Sequence, residues 1–188
     1  QKRKLLISLD YDGTLTPIVD RPEMAVLSDD MRKTLQKVSA RFPVIIISGR
    51  DLEDIRNLVR LEGLIYAGSH GFDISSPGEM DLAFQMGEEF LPLLDRIEAL
   101  LEKEISNIEG GLVERKKFSI AVHYRLVPED QVWMVEKTVD QVLAENPELR
   151  KGFGKMVFEL KPDIDWDKGK ALLWLLEGLK MNVDKTLP

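Results

Sequence analysis

The chain has 188 residues, 44% hydrophobic and 31% charged, a composition that supports one or two packed cores and argues against disorder. Its net charge of −7 disfavours a general nucleic-acid binder, and the absence of cysteine rules out disulfide staples and thiolate metal sites. The longest apolar runs, Val44 to Ile47 and Leu172 to Leu176, are too short to cross a bilayer, so a water-soluble protein without membrane or nucleic-acid partners is expected.

Leu5 to Leu9 reads as a strand covered on both faces. Ser28 then caps a helix through about Arg41, with Met31, Leu35 and Val38 on one side. Val44 to Ile47 is a second strand, followed by a helix capped by Asp51 that carries Ile55, Leu58 and Val59 and ends near Gly63. Leu64 to Ala67 is a third strand. Strands and helices alternating at this spacing predict an α/β fold with a doubly wound parallel sheet, whose ligands bind beyond the carboxyl ends of the strands. From Phe84 the pattern changes to helix (Phe90 to Leu101), two strands (Leu112 to Glu114, Phe118 to Tyr124), helix (Pro128 to Ala144) and strand (Met156 to Leu160). This predicts an inserted α+β domain over 84–162, with 1–83 and 163–188 forming the core. A last helix, Lys168 to Leu179, returns to that core.

Asp10 follows the first strand, where its side chain can project into the crevice. As nucleophile on phosphorus it would form an aspartyl-phosphate and split one hard hydrolysis into two displacements. Asp12, two residues on, can protonate the leaving oxygen and then deprotonate the attacking water. Gly13 permits a sharp turn that aims amides at a phosphate, and Thr14 adds a hydroxyl. Two carboxylates facing a phosphate dianion call for a divalent cation, and an all-oxygen site built on Asp10 and Asp12 favours Mg²⁺. Ser48, Gly49 and Arg50 offer a hydroxyl and amides at a helix start, where phosphate oxygens bind. Lys168 adds an ammonium to a helix amino terminus and can neutralise Asp10 and the transferring group. The plain alternatives are an Asp-Gly turn, a structural strand-to-helix loop and a solvated lysine.

These three elements, in this order, resemble the haloacid-dehalogenase (HAD) superfamily of phosphatases, which implies a HAD-like Rossmannoid core with an inserted α+β cap. Three further stretches, Gly68 to Asp73, Val113 to Lys117 with His123-Tyr124-Arg125, and Glu159 to Pro162 leading into Trp166 to Leu172, resemble the trehalose-6-phosphate phosphatase family. That resemblance implies a cytoplasmic enzyme with catalytic Asp10, Asp12 and Lys168, acting on a small sugar phosphate. It also implies that His70, Glu114, Lys117, Arg125, Glu159 and Lys161 hold the substrate. Glu114 and Glu159 can accept from sugar hydroxyls, and Lys117, Arg125 and Lys161 can donate to them or supply charge. Polar residues on a half-exposed strand remain the plain alternative, and a packed histidine is the plain reading of His70 and His123.

The superfamily's fourth motif, an acidic cluster after another core strand, is not supplied after Lys168: Asp184 stands alone, and Asn182 to Pro188 resembles the approach to that strand. The resemblance therefore implies a core that continues beyond Pro188 and, without it, weak metal binding and slow turnover. A phosphatase for sucrose or glycosylglycerate phosphates, or a catalytically silent sugar-phosphate-binding domain, remain open readings.

Overall fold

The computed structural model describes residues 5–19, 22–78 and 82–181. In chain order the elements are β1 (Ile7–Asp10), α1 (Asp29–Ser39), β2 (Val44–Ile47), α2 (Leu52–Val59), β3 (Ile65–Gly68), β4 (Asp73–Ser75), β5 (Ala83–Gln85), α3 (Leu91–Ile105), β6 (Leu112–Lys116), β7 (Ser119–His123), α4 (Val132–Glu145), β8 (Leu149–Gly154), β9 (Val157–Pro162) and α5 (Lys168–Gly178). They fall into two compact units, one running to Met86 and resuming at Trp166, the other spanning Gly87–Asp165. Asn182 to Pro188, which carry the expected approach to a fourth motif, lie outside the described residues.

In the first unit β1 pairs with β2 and β2 with β3, all parallel. Alternation of side chains along β2 sorts them to opposite faces. Val44 and Ile46 pack with Leu35 of α1 and with Ile55 and Val59 of α2, while Ile45 and Ile47 pack with Ala171 and Leu175 of α5. Both faces are covered, which is why β2 reads as an unbroken apolar run. The β1 side chains are less enclosed than the sequence suggests: Ile7 and Leu9 are only half-buried. The helix starts follow local rules. Ser28 Oγ accepts the Met31 amide at 3.2 Å, and Asp167 Oδ1 accepts the Lys170 amide at 2.9 Å.

Two features of this unit add to what the sequence predicts. The sheet is parallel through β3 as expected, and β4 and β5 extend it as an antiparallel hairpin in the order β1-β2-β3-β4-β5. That hairpin brings Phe84 against Trp166 and Trp174, with ring centroids 4.8 and 4.9 Å away, and so covers the α5 side of the sheet. Helix α2 ends at its C-cap Arg60, whose amide still donates to Arg56 O and whose left-handed φ of 55° turns the chain out of the helix three residues before Gly63.

The second unit is an antiparallel sheet in the order β6-β7-β9-β8. Its four strands replace the three expected. β8 escapes the sequence pattern because Gly152, Gly154, Arg150 and Lys151 give it little strand propensity, and its six-residue register with β9 makes it. One face packs Ile120, Val122, Phe158 and Leu160 against Leu94, Ile97, Leu101 and Ile105 of α3 and Val135, Val139 and Val142 of α4. Ile120 lies fully buried in central β7. Ile120→Ala will therefore cost about 2–5 kcal/mol of stability, read from the denaturant midpoint of this unit.

Candidate active site

The carboxyl ends of β1, β2 and β3 set the first group of residues. Asp10 closes β1 opposite Ile47, so the next residue of the neighbouring strand is Ser48. Asp10 Oδ1 accepts the Tyr11 amide at 2.9 Å, and Oδ2 accepts Lys168 Nζ at 2.9 Å. Lys168 is the first residue of α5, so its side chain and the helix amino terminus bring positive potential to one carboxylate. The pair is about one-third and two-fifths exposed, open enough to meet a solute.

The turn after Asp10 closes on itself. Gly13, at φ 82°, donates its amide to Thr16 O at 2.9 Å, and Thr14 donates to Tyr11 O at 3.4 Å. These two amides, expected to face a phosphate, therefore serve the loop, and Thr14 brings an exposed side chain instead. Tyr11 is fully buried, with its hydroxyl donating to Ala25 O at 2.7 Å. Burial pushes its phenol above the ordinary range, with Arg50 pulling the other way.

Ser48 is buried, and its Oγ accepts the Arg50 amide at 3.1 Å. The Arg50 guanidinium does not point at open solution. Nε and Nη2 lie 3.0 and 2.8 Å from the two Asp12 oxygens, Nη1 donates to Asp54 Oδ2 at 3.1 Å, and the group lies 5.4 Å over the Tyr11 ring. Burial disfavours its charge, but the bonds to Asp12 and Asp54 outweigh that, and the guanidinium holds its proton more tightly than usual.

Ser69, His70 and Gly71 form a run of three positive φ angles, 48°, 59° and 91°. The strain is held from both sides. Ser69 donates its amide to Arg50 O at 2.7 Å and its hydroxyl to Asp51 Oδ1 at 2.7 Å, and His70 donates its amide to Ser48 O at 2.8 Å. On the other side, Trp166 Nε1 donates to Gly71 O at 2.9 Å. The His70 ring lies so close to Gly49 that a Cβ there would meet it at 2.8 Å, which explains the glycine. Ser69 and Trp166 lie in the stretches Gly68 to Asp73 and Trp166 to Leu172 that carry the family resemblance, but nothing in the sequence singles out either one.

In the second unit, register decides which side chains share a surface. Glu114 lies opposite Ala121, and Ala121 opposite Glu159, so the two glutamates stand in one row on the face away from the helices. Lys161 lies two residues beyond Glu159 on the same face. Glu114 Oε2 meets His123 Nε2 at 2.7 Å, and Glu159 Oε1 accepts Ser119 Oγ at 3.0 Å with Lys116 Nζ 3.6 Å away. Lys116, not Lys117, joins this row: Lys117 sits in the β6–β7 turn with Nζ 5.1 Å from the Phe118 ring centroid. Arg125 follows β7 and donates to Lys155 O at 3.4 Å. Arg115 faces the other way and ties Asp95 at 3.1 Å and Glu98 at 3.5 Å on α3.

A family profile described as trehalose-phosphatase matches residues 8–188. The chain is 42% identical over 195 aligned residues to a protein named probable trehalose-phosphate phosphatase D from Arabidopsis thaliana, covering 99% of this chain and 53% of that protein. Its fold matches the crystal structure of a trehalose-6-phosphate phosphatase related protein with a TM-score of 0.82 at 25% identity, over 92% of this chain and 74% of that one. A haloacid dehalogenase-like hydrolase from Bacteroides thetaiotaomicron shares the fold at a TM-score of 0.60 and 18% identity, over 98% and 80% of the two chains. The chain spans about half the length of the curated relatives it matches.

Proposed function

Because this chain belongs to the trehalose-phosphatase family, whose profile spans nearly all of it, we propose that it carries the core and cap of a cytoplasmic phosphatase that hydrolyses trehalose 6-phosphate to trehalose and phosphate. One observation carries the reading: the Asp10 carboxylate stands at the end of β1, 2.9 Å from Lys168, with Asp12 two residues away. Asp10 forms the new O–P bond as the P–O bond to the sugar breaks, and Asp12 gives the departing oxygen its proton. Water then attacks the aspartyl-phosphate, Asp12 takes its proton, and phosphate leaves with Asp10 restored. Lys168 offsets negative charge beside the reacting group. The Thr14 and Ser48 hydroxyls have protons to donate to phosphoryl oxygens.

The oxygen-only donors at Asp10 and Asp12 fit the chemistry of Mg²⁺, which takes one or two carboxylates together with water and substrate oxygens. Asp10 would hold it through its carboxylate. Asp12, two residues on, would be the second residue to hold it. Among the described residues no third acidic or histidine side chain joins them in a group that could hold a metal. When bound, the ion neutralises phosphate charge and orients the ester.

The polar row of the second unit suits a disaccharide. Glu114 and Glu159 accept from hydroxyls, and Lys161 and Lys116 of the row can donate, as can Arg125 and Lys117 outside it in the same unit. No helix among the described residues is long and apolar enough to cross a membrane. The test is phosphate release by the full-length protein from trehalose 6-phosphate and sucrose 6-phosphate. The expected preference for the former is about tenfold or more in kcat/KM, since unpaired polar groups penalise the wrong sugar. A reversed preference overturns the substrate, and no release from either overturns the phosphatase.

A further inference from the structure

We infer that Asp54, Arg50 and Tyr11 form a clamp that aims the Asp12 carboxylate, so that Arg50 and Asp54 act as positioning residues rather than as phosphate ligands. The inference rests on the reading of Asp12 as the proton carrier. Arg50 meets Asp12 side-on through Nε and Nη2, and the fork fixes both the direction and the plane of the carboxylate. Nη1 on the far side is held by Asp54, one turn along at the start of α2. The guanidinium lies over Tyr11, and Tyr11 cannot shift because it is fully buried and bonded to Ala25 O.

Exposed ion pairs hold their partners loosely. Here the Arg50 side chain is only 12% exposed while Asp12 is 45% exposed, so a held group presents an open one. An arginine that gripped phosphate would turn its fork to the solute, whereas this fork is spent on two carboxylates. Proton transfer to a leaving oxygen needs a heavy-atom separation of about 2.6–3.2 Å. A carboxylate free to rotate on the exposed loop spends little time there. The clamp joins residues 38 positions apart and makes the geometry a property of the fold, not of the loop.

The test uses the full-length enzyme with Arg50→Ala, Arg50→Lys, Asp54→Asn and Asp12→Asn. kcat/KM is measured on trehalose 6-phosphate, whose alcohol needs a proton to leave, and on 4-nitrophenyl phosphate, whose phenolate does not. Asp12→Asn is expected to lose about 10²–10⁴-fold more on the sugar phosphate than on the aryl phosphate. Arg50→Ala is expected to show the same bias at about 10²-fold, with little recovery in Arg50→Lys, because an ammonium cannot supply the fork. Asp54→Asn changes a half-exposed side chain and is expected to show the bias at about 3–10-fold, which decides the matter if Arg50→Ala does not fold. Inhibition by inorganic phosphate is expected to stay constant in the Arg50 and Asp54 variants.

Equal losses on both substrates in the Arg50 and Asp54 variants, with Asp12→Asn still biased, overturn the clamp and leave the acid/base assignment standing. Weaker phosphate inhibition in Arg50→Ala makes Arg50 a phosphate ligand and overturns the clamp as well. An unbiased Asp12→Asn removes the acid/base assignment, and the clamp with it.

Discussion

Replacing Asp10 with Asn in the full-length protein will cut phosphate release by roughly 10⁴-fold or more, the scale on which loss of a covalent nucleophile acts. The amide keeps the shape of the side chain and its one oxygen can still accept from the Tyr11 amide, while the bond to the partly exposed Lys168 ammonium is given up, so the fold is left alone. What disappears is the carboxylate proposed to make the O–P bond. Initial-rate phosphate release checks the loss, and mass spectrometry of the quenched wild type will show a phosphoryl adduct on the peptide carrying Asp10. Activity within tenfold of wild type, or an adduct that survives Asp10→Asn, refutes the mechanism. The unfolding midpoint will move little, because the Asp10–Lys168 pair is substantially exposed and such pairs contribute about 0–1 kcal/mol.

Gly71→Ala will damage both stability and turnover. At φ 91° an alanine is strained by about 1 kcal/mol or more, and its Cβ would stand 2.3 Å from the Cβ of Ala171, which is fully buried on α5. Overpacking adds about 1–3 kcal/mol, for an expected loss of about 2–4 kcal/mol in denaturant unfolding. Ala171 lies three residues after Lys168, so the relief available to the chain is a shift of α5, and that shift carries the ammonium away from Asp10. kcat is therefore expected to fall along with stability. Gly63→Ala is the control: its φ is 84°, but nothing lies within 4 Å of the added methyl group, so only backbone strain remains. If the two variants lose the same stability, or if Gly71→Ala keeps full kcat, the coupling of this turn to α5 is refuted.

The helices and the buried strand β2 are legible because their signals are local. The cap at Ser28, the stripe Leu94, Ile97 and Leu101, and the run Val44 to Ile47 each bury a surface that a short window of residues already displays. The hairpin of β4 and β5 and the strand β8 give weak signals, since polar residues and glycines interrupt them. They become strands because β3, β9 and the aromatic cover over α5 offer partners. Choosing between adjacent lysines in the second unit depends in the same way on register. A shift of one residue changes the face, and only the pairing of β6 with β7 puts Lys116 beside Glu159.

By itself the sequence determines that Asp10-Tyr11-Asp12-Gly13-Thr14 stands at the end of a strand and that Lys168 opens a helix, because both depend on spacing and capping within a few residues. Only the tertiary structure decides that Lys168 reaches Asp10 across 158 positions, that Arg50 spends its fork on Asp12 and Asp54, and that three left-handed residues join the loop after β2 to Trp166. The physical reason is that a carboxylate's partner is set by sheet register and helix packing, which sum contacts from distant parts of the chain. A hydroxyl, an ammonium or a guanidinium carries no record in its neighbours of which of these contacts it will make.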